Sequence, residues 1–445
     1  MTATARPSPG APQAWRNWAR NQTAFPAGVE HPADVADIAR TVEQAAAAGR
    51  TVKVAGSGHS FTSAAVTDGT LLHLDRLDRL LEADAETGVV TVQAGMPLHV
   101  LNRTLAPAGL AMSNLGDIDR QTVAGAISTG THGTGARLGG LATQVRGLQI
   151  VLGDGSVVQC SAAERPDLFS AARVGLGALG VLTAVTLQCE PSFVLHAREE
   201  AMAIDAVLGN FDEMAERNEH FEFFWFPHTD SAMVKQNNRL ATGETPQPLG
   251  PVRSWVEEEL LANTVFGAVC QLGLRRPALI PRINRRSVRL LGARTYTAPS
   301  HEVFSSPRRV RFVEMEYAVP RAAVHEAFGA IRTVIERERL SVSFPVEVRV
   351  AQGDDIALST ASGRDTAYLA VHMYRGEKDY ERFFRAVERE LTALEGRPHW
   401  GKLHYRNVAD LRPAYPQFGA FLAARDQADP ARVFRNDYLD RVLGR

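Results

Sequence analysis

The sequence predicts an α+β chain of two domains, and three observations lead there. The length of 445 residues exceeds what one ordinary core holds. Up to about residue 190, short apolar strands mix with helices, a hairpin and glycine-rich loops, which argues against a doubly wound parallel sheet. Beyond that point the glycine loops thin out and longer strands, several of them aromatic, take over.

The elements follow in order. Residues 1–20 form an N-terminal tail, rich at first in Pro, Ala, Thr and Ser and without the apolar stretch of a secretory signal. Pro32, Ala33 and Asp34 open a helix whose apolar face is Val35, Ile38, Ala39, Val42 and Ala45, and Gly49 ends it. Strands are expected at 51–55, 71–74 and 89–92, with a helix through Leu98, Leu101 and Leu105. Gly153-Asp154-Gly155 turns a hairpin between Ile150-Val151-Leu152 and Val157-Val158. Residues 21–193 make the first domain and 194–445 the second. In the second, residues 221–226 suit a buried strand, whereas 311–317 alternate as a sheet with one solvated face should. Strands at 344–351 and 367–374 and helices at 321–339 and 380–394 complete an antiparallel-sheet domain. Between residues 255 and 294, apolar Leu260, Leu261, Val265 and Val269 precede Arg275, Arg276, Arg282, Arg285, Arg286, Arg289 and Arg294. A surface helix with a solvated basic face is the favoured reading, with membrane-surface or partner docking the other.

Composition narrows the function. A net charge of −1, with 45% hydrophobic and 22% charged residues, describes a globular protein with no global field to draw in nucleic acid. Cys160, Cys189 and Cys270 are widely spaced, which indicates neither a metal site nor a disulfide framework, and the chain is expected in the cytoplasm.

The chemistry lies in glycine loops and in polar pairs on strands. Gly56-Ser57-Gly58-His59-Ser60-Phe61 follows a strand and carries an imidazole at its tip, and closely spaced glycines let backbone N–H groups approach a pyrophosphate. A second run, residues 125–135, sets Ser128, Thr129, Thr131 and Thr134 among glycines, and a third spans 175–181. Three such runs in one domain point to a large anionic cofactor, while neither the GxGxxG nor the Walker pattern is present. Further on, Glu347 and Arg349 share one face of a strand, His372 and Tyr374 repeat that spacing, and His399-Trp400-Gly401-Lys402 brings an imidazole and an ammonium to a loop. Together they can form a polar pocket for a hydroxylated substrate.

The Gly56–Ser60 loop, the 129–135 run, the Glu347-x-Arg349 pair and the His399–Lys402 segment, in this order, resemble the aldonolactone oxidase and alditol oxidase group of the vanillyl-alcohol-oxidase-type flavoproteins, from about residue 20 to the end. The resemblance implies a PCMH-type FAD-binding domain of two α+β subdomains and a cap over the flavin, with a C-terminal segment returning to it. It implies that His59 tethers FAD covalently and that Val54, Ala55, Gly56, Ser57, Gly58, His59 and Ser60 wrap the pyrophosphate. Thr122, Gly125, Thr129, Gly130, Thr131, His132 and Gly135 would lie along the cofactor, with Val181 near the adenine and Gly116 and Asp117 under the ring. By the same resemblance Gly116 admits oxygen, and Asp117, standing where alditol oxidases have a small hydroxyl residue, disfavours open-chain polyols. Glu347, Arg349, His372, His399 and Lys402 are the implied catalytic set, with Lys402 also touching the flavin. The expected reaction takes a sugar lactone to oxygen, with an alditol oxidase or a cytochrome- or quinone-linked dehydrogenase as alternatives.

Overall fold

The computed structural model describes residues 14–241, 243–250, 253, 263–288, 292–306 and 308–445. Its first layer is a parallel sheet ordered Gly28–Glu30, Thr70–Leu72, Val52–Val54. The helix Val35–Ala47 starts where the Asp34 carboxylate accepts from the Asp37 N–H, and it buries Ile38, Val42 and Ala45. An antiparallel sheet of five strands follows, ordered Val157–Ser161, Val145–Val151, Val181–Gln188, Val89–Gln93, Leu80–Ala83, with the expected hairpin at its edge. These two sheets share one apolar cluster with the last part of the chain, in which Phe418, Phe421, Leu439 and Val442 are buried together with residues such as Leu101, Ile127 and Leu148. The C-terminal segment thus returns to the first domain, and the Val52 N–H donates to the Val433 carbonyl at 2.8 Å.

The second domain is an eight-stranded antiparallel sheet ordered Arg294–Pro299, Val194–Ala203, Ser231–Arg239, His220–Trp225, Val346–Ala351, Thr366–Tyr374, Phe312–Pro320, Arg397–Pro398. Period-two alternation divides its faces. Phe221, Phe223, Val313, Met315, Val348, Leu369 and Val371 bury against Phe211, Phe328, Ile331, Phe383 and Phe384 from helices on one side. The other face carries Glu222, Glu314, Glu316, Glu347, Arg349 and His372, and every one of these is buried. The alternation at 311–317 therefore does not mark a solvated face. Glu314 and Glu316 are 4% exposed because the first domain closes over that side of the sheet.

Residues 14–20 are part of the fold instead of a free tail. Trp15–Arg16 pairs with Thr23–Ala24, the Trp18 N–H donates to the Gly58 carbonyl at 2.7 Å, and the Asn17 amide donates to the Ser60 carbonyl at 3.0 Å. In the basic segment, Leu260, Leu261 and Arg289 lie outside the described residues. Helices Phe266–Arg275 and Ile280–Val288 leave Arg275, Arg276, Arg282, Arg285 and Arg286 exposed. Among the described residues, no helix is long and apolar enough to cross a membrane.

Candidate functional site

Two cavities meet at His59. A groove of about 360 Å³ runs along Lys53, Val54, Ala55, Gly56, Ser57 and Gly58 and past Thr122, Gly125, Ser128 and Gly177. A chamber of about 600 Å³ lies between the polar sheet face and the first domain. His59, Ser60, Gln121 and Thr129 line both, so they form one continuous, bent site.

The groove suits an extended anion that lies against backbone. A side chain at Gly56 would stand 2.7 Å from Thr122 Oγ1, and that hydroxyl already caps the next helix by accepting from the Gly125 N–H at 3.1 Å. At the junction, the His59 ring stacks on Trp18 with centroids 5.5 Å apart. Its Nδ1 is buried and has no hydrogen-bond partner, a costly arrangement for a polar atom that nothing engages. Burial, then Lys402 and Arg120, push its pKa down to about 4, so the imidazole is neutral. The groove, the glycine cradle and this orphaned nitrogen fit a dinucleotide flavin with an attachment point at His59.

The chamber wall is a row of charges in register. Glu222 lies directly across from Arg349, and Arg349 Nε donates to Glu222 Oε2 at 2.7 Å. Arg349 also pairs with Glu347, and its guanidinium is 3.7 Å from Asp117. Asp117 accepts from Arg308 at 2.9 Å, and although burial opposes its charge, Arg349 and Arg308 hold it well below the usual carboxylate range. Glu347 goes the other way: burial pushes its carboxyl up to about 7, and Asp117 and Glu222 add to the rise while Arg349 opposes it. Lys402 donates to Glu314, and Glu314 with Glu316 keeps the ammonium charged against its burial.

His399 Nδ1 accepts from the Gly401 N–H at 3.0 Å, and burial pushes its pKa down to about 3, so this imidazole is neutral with its proton on Nε2. His132 lies 3.2 Å from Glu316 and stacks on Tyr368 at 3.5 Å. His132, Glu316 and His399 each offer a ligand atom within 4.8 Å of the others, a grouping of metal-ligand type that the sequence reading did not foresee. The second glycine run is stitched to the cap: Thr134 Oγ1 accepts from the Val350 N–H at 3.2 Å, and the Gly135 N–H donates to the Val350 carbonyl at 2.9 Å.

The residues from Val54 to Ser60 with Thr122, Gly125 and Thr129 therefore line the groove, and Gly116, Asp117, Thr131, His132, Glu347, Arg349, His372, His399 and Lys402 line the chamber. Gly130, Gly135 and Val181 line neither. Val181 is fully buried in a core strand between Gly180 and Leu182, which do line the groove, and Gly135 bridges to Ala351 on the cap. Sequence reasoning missed Glu222, Glu314, Glu316 and Arg308. The even spacing of Glu314 and Glu316 was the available signal, and it is the same signal a solvated strand face gives.

The D-arabinono-1,4-lactone oxidase family model matches residues 185–442, and an FAD binding domain matches residues 26–161. The chain is 43% identical to the L-gulono-1,4-lactone dehydrogenase of Mycobacterium tuberculosis, over 97% of this chain and 99% of that one. It is 35% identical to the L-gulonolactone oxidase of Bos taurus, over 96% and 98%. Cholesterol oxidase from B. sterolicum superposes with a TM-score of 0.82 at 19% identity, covering 99% of this chain and 100% of that one, which identifies the fold alone.

Proposed function

The chain belongs to the D-arabinono-1,4-lactone oxidase family of FAD-dependent oxidoreductases, and on that premise we propose that it oxidises a CH–OH group of an aldono-1,4-lactone of the L-gulono or D-arabinono type. The observation that carries the reading is the continuity of groove and chamber at His59, with the Glu347–Arg349–Lys402 wall facing the chamber. Bound FAD supplies the two-electron acceptor for the hydride that leaves the substrate carbon. Residues Val54 to Ser60 and Thr122 would hold its phosphates, and His59 Nδ1 would carry the covalent bond. Arg349 and Lys402 offer fixed positive charge to the oxygen that loses its proton. Glu347, at about 7, is poised to take that proton near neutral pH.

Oxygen is the proposed acceptor, on the strength of the bare Gly116 in the chamber wall. Similarity to the mycobacterial L-gulono-1,4-lactone dehydrogenase supports a different acceptor. One experiment addresses both points: L-gulono-1,4-lactone, D-arabinono-1,4-lactone and xylitol are added anaerobically, bleaching is followed, and oxygen is then admitted. Bleaching by a lactone followed by rapid recolouring with peroxide release supports the oxidase. Bleaching with slow recolouring supports the dehydrogenase. No bleaching by either lactone refutes the substrate class.

A further inference from the structure

Glu314 holds two partners at once. It lies directly across from His372 on paired strands, and its Oε1 is 3.5 Å from His372 Nε2 while Oε2 accepts from Lys402 Nζ. The backbone doubles the tie, since the Leu403 N–H donates to the Glu314 carbonyl at 2.9 Å. On the other side of the ring, His372 Nδ1 is 3.2 Å from the Pro345 carbonyl oxygen. A carbonyl oxygen only accepts, and so does a carboxylate. A neutral imidazole has one N–H and would turn a lone pair toward one of them, whereas an imidazolium satisfies both.

The surroundings agree. Phe312 meets the ring edge-on at 5.2 Å and Phe344 stacks at 6.0 Å. The charged groups facing His372 are Glu314, Glu347 and Lys402. Burial works against the charge and Lys402 repels it, but the two carboxylates outweigh both, and its pKa stands above the ordinary value.

We propose that Glu314 and His372 form an ion pair that positions Lys402 and keeps Glu314 from offsetting its charge in full, so that His372 is a positioning residue and not the base of the reaction. Without the imidazolium, Glu314 would cancel the ammonium. With it, the three groups carry a net single positive charge toward the chamber. The role for Lys402 rests on the lactone-oxidation reading above, but the charge state of His372 does not.

The test begins without substrate. Nitrogen-15 histidine NMR of the wild-type holoenzyme, assigned with His372→Gln, should show both ring nitrogens of His372 protonated at pH 7, and Glu314→Gln should convert the ring to its neutral form. A neutral His372 in the wild type at pH 7 overturns the proposal, whatever the substrate proves to be. Kinetics then separate the roles on a lactone that bleaches the wild type. A catalytic base contributes about 10²–10⁴-fold. A His372→Gln loss in kcat below about 100-fold, with the acid limb of the kcat–pH profile unmoved, supports a positioning role. A larger loss, or disappearance of that limb, overturns it. Should Glu314→Gln fail to fold, Glu314→Asp, which keeps the charge, should keep the imidazolium signal, and its loss there would also count against the ion pair.

Discussion

Replacing Glu347 with glutamine should stabilise the protein at alkaline pH while crippling its chemistry. Glu347 is 6% exposed, and burial raises its carboxyl from the ordinary 4.5 to about 7. Because the folded-state value lies above the unfolded one, the folded protein holds this proton more tightly. The associated stability is complete below pH 4.5 and is lost as the pH rises to 7. At about 1.4 kcal/mol per pKa unit, that loss is about 3 kcal/mol. Glutamine keeps the shape and has no proton to lose. Arg349 retains Glu222 at 2.7 Å and Asp117 at 3.7 Å, so its charge stays countered. The missing arm to Arg349 makes 3 kcal/mol a ceiling, at about that size. With an unfolding entropy of about 2.1 cal/mol/K per residue over 445 residues, it corresponds to about 3 °C if the chain melts as one unit. Thermal midpoints of the wild type and Glu347→Gln, followed by intrinsic fluorescence, should coincide near pH 4.5 and separate by about 2–3 °C in favour of the variant near pH 8.5. A variant that melts below the wild type at pH 8.5, or a gap that ignores pH, would refute the assignment of Glu347 as a strained buried carboxylate.

Three further outcomes are expected. His59→Ala should release all of its flavin to the supernatant on acid precipitation, whereas the wild-type pellet should stay yellow and fluorescent; flavin leaving the wild type as well would rule out the tether. Gly116→Ala would set a methyl group 3.2 Å from Thr131 Cγ2 and 3.3 Å from the His132 carbonyl. Oxygen consumption should fall at least about tenfold, equivalent to about 1.4 kcal/mol of barrier, with anaerobic dye reduction largely kept; equal losses in both would mean that the methyl distorts the site and does not gate oxygen. Gly56→Ala forces Thr122 Oγ1 aside from a contact of 2.7 Å and removes a helix cap that contributes about 1 kcal/mol. The ratio of visible flavin absorbance to protein absorbance should drop, and an unchanged ratio would take Gly56 out of the cradle.

Much of the fold and half of the site were legible in the amino-acid order. Strand and helix periods are local properties, so the helix at Val35–Ala47, the hairpin around Gly153–Gly155 and the strands bearing Glu347, Arg349 and His372 could be read directly. Glycines spaced for close backbone approach marked the groove for the same reason, because a missing Cβ acts within a few ångströms of its own position.

The tertiary structure alone decided which polar faces are buried. A strand such as Phe312–Pro320 alternates identically whether water or another domain covers its second face, and only the closure of the first domain turned Glu314 and Glu316 from solvated carboxylates into the anchors of Lys402 and His132. The same closure sets the charge of each group. Burial raises Glu347, and the Arg349–Arg308 pair lowers Asp117, through distances between residues as far apart in the chain as 117 and 349. Chemistry that depends on desolvation and on the sum of neighbouring charges has no local signature, so the sequence named the groups and the packing determined their protons.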